Sequence, residues 1–158
     1  RLAAAGWRRV RRACDAAACA EARCGRPRPA PGGRLGEAVG SADALLFATP
    51  EYNSSIPGAL KNALDWVSRP LATNPLRFTP VAVVGASTGA FGAVWAQAEL
   101  RKVLAAMGAR VVEGDVALGH AHQKFDDDGA LSDDEARAQL QALVSQLVEE
   151  VRLDRLAA

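Results

Sequence analysis

Residues 44–66 read Ala44-Leu-Leu-Phe-Ala-Thr-Pro-Glu-Tyr-Asn-Ser-Ser-Ile-Pro-Gly-Ala-Leu-Lys-Asn-Ala-Leu-Asp-Trp66, a strand, a sharp loop and a helix in direct succession. The run from Ala44 to Thr49 is short, apolar and uncharged, the pattern of a strand covered on both faces of a parallel sheet. Pro50 ends it, because proline cannot donate to a ladder, and the chain leaves the sheet through Glu51, Tyr52, Asn53, Ser54 and Ser55. Pro57 suits the first helical position, and Leu60, Ala63, Leu64 and Val67 then recur on one helical face. In a parallel α/β sheet, ligands bind at the loops leaving the carboxyl ends of strands, so the loop from Pro50 to Ser55 is the first place to look for chemistry.

The flanking sequence repeats the alternation. Leu35 to Asp43 reads as the end of a helix feeding the strand. A second buried strand is expected at Pro80-Val-Ala-Val-Val84, followed by the loop Gly85-Ala-Ser-Thr-Gly-Ala-Phe-Gly92. A helix over 91–107 places Leu100, Val103, Leu104 and Met107 on one side and stops at Gly108. Strand-like Arg110-Val-Val112 and Val116-Ala-Leu118 flank a turn at Gly114. Phe125 to Leu131 is an acidic turn. Ser132-Asp-Asp-Glu135 reads as a capping box opening a terminal helix whose buried stripe is Leu140, Leu143, Val144, Leu147, Val148 and Val151. Strands alternating with helices imply a doubly wound parallel sheet of the α/β class.

Pro50-Glu51-Tyr52-Asn53, Ser55, Pro57-Gly58, Leu60-Lys61-Asn62 and Asp65-Trp66 together resemble the signature of the NADPH-dependent FMN reductase family, from about residue 34 to about 134. The resemblance implies a flavodoxin-like fold, bound FMN, and hydride taken from NADPH or NADH in a ping-pong cycle. The electrons then pass to a quinone, azo, metal-oxyanion or flavin acceptor. It also implies that Pro50, Glu51, Tyr52 and Asn53 line the isoalloxazine, largely through main-chain atoms, and that Ser55 is a further cofactor-binding residue. The loop holding Gly85, Ser87 and Gly89 would approach the pyrimidine side of the ring. Members are commonly homodimers or homotetramers with the flavin near a subunit boundary, where the helix bearing Leu60, Leu64 and Trp66 would contribute. Trp95 stands where many members carry arginine. Flavin chemistry asks little of side chains, so no catalytic residue is assigned.

Residue by residue, Gly85, Gly89 and Gly92 allow a close backbone approach to a flat ligand, and Ser87 and Thr88 can donate. Tyr52 offers either an aromatic face to a ring or a lid packed over a core edge. The glycine loop fits neither G-x-G-x-x-G nor a P-loop.

Bulk properties set bounds. At 158 residues, with 49% hydrophobic and 23% charged residues, the chain is one domain of ordinary size that buries roughly two-thirds of its unfolded surface. With no apolar run near the roughly 20 residues of a membrane helix and no signal peptide, a cytoplasmic location without membrane attachment is expected. The formal charge of +1 hides an asymmetry. Residues 1–34 hold nine Arg against Asp15 and Glu21, a net of +7, while the remainder has ten basic against sixteen acidic residues, a net of −6. That arginine- and alanine-rich segment is read as atypical, apart from a flavodoxin-like domain over 35–158. It shows no counterpart of the family's opening strand and Gly-Ser phosphate loop, as a truncated or differently started chain would not. With only Trp7 to stack, a nucleic-acid arm is less favoured than a solvated extension. Cys14, Cys19 and Cys24, spaced by five, would turn about 140° apart on a helix, which disfavours a metal site.

Two further clusters have plain readings. His120 and His122 would share a face on a strand, but no third ligand is evident, and surface histidines fit better. Asp126-Asp127-Asp128-Gly129 lacks the spacing of a calcium loop and is a solvated turn. No metal is expected. The competing reading of the whole chain is a non-catalytic flavodoxin-like oligomerisation or binding module that has lost its flavin phosphate loop.

Overall fold

The structure is a computed structural model describing residues 33–157. The three cysteines and nearly all of the arginine-rich segment lie outside the described residues. Helix α1 spans Gly33–Gly40, strand β1 Leu45–Thr49, helix α2 Gly58–Val67, strand β2 Pro80–Ala86 and helix α3 Val94–Ala106. Strands β3 at Arg110–Val111 and β4 at Val116–Leu118 and helix α4 at Asp134–Ala157 complete the order. Among the described residues these strands all pair parallel. β1 lies along one edge of β2, from Leu45 opposite Val81 to Thr49 opposite Gly85, and both β3 and β4 lie along the other.

β2 is the axis of the core because its side chains alternate between two helical layers. Val81 and Val83 join Leu45, Phe47, Leu64, Leu100 and Leu104 in a cluster built with α2 and α3. Ala82 joins Val116, Leu143 and Leu147 on the α4 side, with Leu46 and Val84 partly buried against them. Helices on both faces of a parallel sheet make this the open, doubly wound, flavodoxin-like arrangement. β1 is less enclosed than its sequence suggests: Leu45, Phe47 and Thr49 are buried, but Ala48 is exposed.

The expected helices form with shifted ends. Pro57, at φ −55° and ψ 136°, is the N-cap of α2 rather than its first helical residue. Leu64 and Val67 are buried and Leu60 and Ala63 half-buried. Leu64 therefore faces the core and is not available to a second subunit, whereas Trp66 is exposed. α3 starts at Val94, later than its apolar spacing implies, because Gly92 and Ala93 have φ of 58° and 62° and left-handed residues cannot continue a right-handed helix. The cap of α4 is Asp133 rather than Ser132: its Oδ1 accepts the Ala136 N–H at 2.8 Å. Phe125 and Leu131 pair across the acidic turn, with the Asp126 carboxylate accepting the Ala130 N–H.

β3 and β4 leave β2 unpaired between Val81 and Val84, and the gap is filled by a side chain. Arg101 of α3 donates to Val112 O at 3.0 Å, to Val83 O at 3.2 Å and to Gly114 O, and meets Asp115 at 3.2 Å. Val83 is fully buried, so its carbonyl would otherwise be orphaned. We expect Arg101→Leu to lower the denaturant midpoint at unchanged m-value, with a loss of about 1–3 kcal/mol for the unpaired carbonyls. The Asp133 cap carries a pH signature: the Ala136 N–H, then Lys124, hold its carboxyl below the ordinary 3.8. Because the folded value is depressed, the cap's stabilisation is present above the ordinary value and lost as pH falls through the folded one. Thermal melts should show the difference between wild type and Asp133→Asn shrinking as the pH is taken below 3.8.

Candidate functional site

Three loops leave the carboxyl edge of the sheet side by side: residues 50–57 after β1, 87–93 after β2 and 119–124 after β4. Their adjacency follows from register, since Thr49 lies opposite Gly85 and Leu118 opposite Ala86.

The first loop is a two-residue hairpin. Tyr52 N donates to Ser55 O at 3.0 Å and Ser55 N to Tyr52 O at 3.1 Å, with Asn53 and Ser54 between them at φ 52° and 59°. Two positive φ values in succession define a type I′ turn, which asparagine tolerates and serine does not favour. Such strain, of order 1–3 kcal/mol per residue, persists only where the surroundings over-determine it, and it clusters at ligand clamps. The N–H groups of Glu51, Asn53 and Ser54 have no acceptor among the described residues. Tyr52 keeps 62% of its surface exposed, so it packs over no core edge.

The Glu51 side chain links this loop to the next. Its Oε2 accepts the N–H of Trp95 at 3.0 Å and of Ala96 at 3.1 Å, capping α3 from 44 residues away. Ala93, the local N-cap residue, has no oxygen to offer. A side-chain role for Glu51 was not legible in the sequence, where its contribution was expected through the main chain.

In the second loop the glycines divide. A Cβ on Gly85 would lie 2.9 Å from Ala93 Cβ and from Gln97 Nε2, and one on Gly92 2.4 Å from the Ala117 carbonyl carbon. Both therefore serve helix and loop packing, a reason for glycine that does not depend on a ligand. Gly89 is different: a Cβ there would meet only Ser87 Oγ, at an ordinary 3.5 Å. Ser87 is largely committed, its N–H to Leu118 O, its carbonyl to Ala121 N–H and its Oγ to Gly89 N–H. Its hydroxyl hydrogen and the Thr88 N–H remain to donate.

The third loop is a part of the site that sequence reasoning missed. His120 N donates to Gly89 O at 2.9 Å, and a Cβ on Gly119 would lie 2.2 Å from Ala90 O. Instead of lying on a strand, His120 precedes a 3-10 turn at Ala121–Gln123 and His122 sits within it, with ring centres 6.4 Å apart. A glycine directly after Val116–Leu118 was the available signal. Exposed Phe91 and Trp95 pack edge to face 5.1 Å apart beside these loops. A cleft of about 370 Å³ lined by Arg110, Val111, Val112, Glu113, Gln146 and Glu150 lies instead between α4 and β3 with the two residues that follow it. Among the described residues, no three His, Cys, Asp or Glu side chains cluster as metal ligands.

What these loops offer is main-chain N–H donors around an open surface with an aromatic side chain beside it. That donor set fits a planar ring with carbonyl oxygens along one edge, such as an isoalloxazine, and does not by itself provide acid–base chemistry.

The sequence model of the family described as NADPH-dependent FMN reductase matches residues 8–123. It enters the arginine-rich segment, where the motif resemblance found no counterpart, and stops before the acidic turn. An NAD(P)H-dependent FMN reductase of Pseudomonas aeruginosa is 47% identical over 115 residues, covering 70% of this chain and 62% of that protein. A quinone reductase of Pseudomonas putida is 40% identical over 123 residues, covering 77% of this chain and 66% of that protein. Among solved structures, the flavoenzyme NAD(P)H:(acceptor) oxidoreductase of Paracoccus denitrificans superposes with a TM-score of 0.65 at 34% identity, covering 75% and 66% of the two chains. The chain thus spans no more than about two-thirds of the length of these relatives. Nothing in them favours the non-catalytic module.

Gly119→Ala should force the second and third loops apart, because its Cβ meets backbone that cannot rotate away. We expect a loss of about 1–3 kcal/mol in chemical denaturation, whereas Gly89→Ala, with room for a methyl, should leave the melting temperature near that of wild type.

Proposed function

The chain belongs to the NADPH-dependent FMN reductase family, and from that premise we propose that it carries the flavin-ring site of an NAD(P)H-dependent oxidoreductase. Its proposed acceptors are quinone, azo, metal-oxyanion or flavin compounds. The single observation that carries this is the pair of neighbouring loops, joined through Glu51, that present unpaired main-chain N–H groups at the carboxyl edge of a parallel sheet. FMN would supply hydride acceptance and onward electron transfer when bound. The chain's own work is to hold and orient the ring. Glu51, Asn53 and Ser54 would donate through the main chain, Ser87 through its hydroxyl and Thr88 through its N–H. Pro50 and Ser55 bound the turn, Gly89 leaves room beside it, and Gly85 lets α3 close behind it. Tyr52, exposed beside the turn, would lie against the ring or the incoming acceptor.

The open face suits a ping-pong cycle, since the same edge must admit the nicotinamide of NADPH or NADH and then the acceptor. We further propose a homodimer or homotetramer in the cytoplasm, without nucleic acid or membrane as partner. Support for assembly comes from Tyr52 and Phe91, exposed on the loops, and from Trp95, exposed in the first turn of α3. Among the described residues no helix is long and apolar enough to cross a membrane.

The test begins with FMN. After incubation and desalting the protein should remain yellow and quench FMN fluorescence, NADPH should bleach it anaerobically, and a quinone should restore the colour. A colourless protein that leaves the fluorescence of FMN unchanged in large excess would overturn the reading.

A further inference from the structure

A helix ordinarily takes its cap from its own N-cap residue, and α3 cannot. Ala93 occupies that position in a left-handed conformation, is 1% exposed, and stands where a Gly85 Cβ would be only 2.9 Å away. An Asp, Asn, Ser or Thr there would bring a polar group into the packed contact between α3 and β2, at a desolvation cost. The two N–H groups of Trp95 and Ala96 are satisfied instead by the Glu51 carboxylate from the neighbouring loop. An ionised acceptor on two N–H donors at the positive end of a helix is among the stronger interactions a loop can make. One residue beyond Glu51, after Tyr52, come Asn53 and Ser54, held at positive φ, which an unanchored loop would relax.

We propose that Glu51 is a positioning residue: by capping α3 across the two loops, its carboxylate sets the distance between the Asn53–Ser54 turn and the Ser87–Gly89 loop, and so the affinity for the flavin ring. This rests on the flavin reading above. A consequence is that the α3 N-terminus, a seat that helices commonly offer to phosphate, is already taken by the protein's own carboxylate. The phosphates of FMN and of the nicotinamide cofactor must be held elsewhere.

The experiment compares wild type, Glu51→Ala and Glu51→Gln as full chains. Amide hydrogen exchange at Trp95 and Ala96, measured without flavin, should accelerate in Glu51→Ala and slow again when formate is added to fill the vacated seat. Glu51→Gln keeps an acceptor oxygen and should stay close to wild type. In FMN titrations Glu51→Ala should bind about tenfold to a hundredfold more weakly, with formate recovering most of the loss. Unchanged exchange and unchanged FMN affinity in Glu51→Ala would overturn the proposal. A loss that neither formate nor glutamine recovers would overturn it too, assigning the effect to general destabilisation. Wild-type protein without FMN affinity would bring down the flavin reading and this proposal together, whereas wild-type binding with an unimpaired Glu51→Ala brings down this proposal alone.

Discussion

A carboxylate from one loop closing the N-terminus of a helix that follows another loop is the contact on which the upper edge of this molecule depends. Register alone brings Thr49 beside Gly85, but it does not determine where the chain goes after leaving the sheet. Glu51 does so for the first loop, because its Oε2 must reach both Trp95 N–H and Ala96 N–H. With that anchor and the Tyr52–Ser55 pairing on either side, two non-glycine residues are kept in a conformation they would not hold alone.

The second and third loops are joined by a different device. Three backbone hydrogen bonds tie this corner together: the Ser87 N–H donates to Leu118 O at the end of β4, the His120 N–H to Gly89 O and the Ala121 N–H to Ser87 O. Contact this close leaves no room for a side chain at Gly92 or Gly119. Below them, Arg101 reaches the carbonyls left where β3 gives way to β4, so this edge of β2 stays hydrogen-bonded although the strand beside it is interrupted. The candidate site is thus a hydrogen-bonded rim on a bridged sheet. Donors left over after the loops have paired with each other are the ones available to a ligand.

Much of the fold was legible in the chain. The alternation of short apolar runs with helical stripes gave β1, β2, α2, α3 and α4 within a few residues, because period and polarity report which face of an element is buried. The misses share a cause. Ser132 was preferred to Asp133 as a cap, and α3 was started before its left-handed entry at Gly92 and Ala93, because cap geometry depends on dihedral angles that composition does not encode. That a side chain at Gly85 would collide with Ala93 and Gln97 could not be read from the sequence, because both arrive from the next element.

For the candidate site, the stretch from Pro50 to Trp66 was enough to mark the family and to direct attention to the first loop, since turn-forming residues after a buried strand act through their own backbone. What the residues could not disclose was the division of labour among them. That Glu51 spends its side chain on a helix 44 residues away, that Ser87 is mostly used up, and that a third loop through His120 completes the rim were decided only on folding. The physical reason is range: a strand, a turn or a helical stripe is written by covalent neighbours, whereas a cap in trans and a zipped pair of loops exist only once distant segments have been packed against the same sheet.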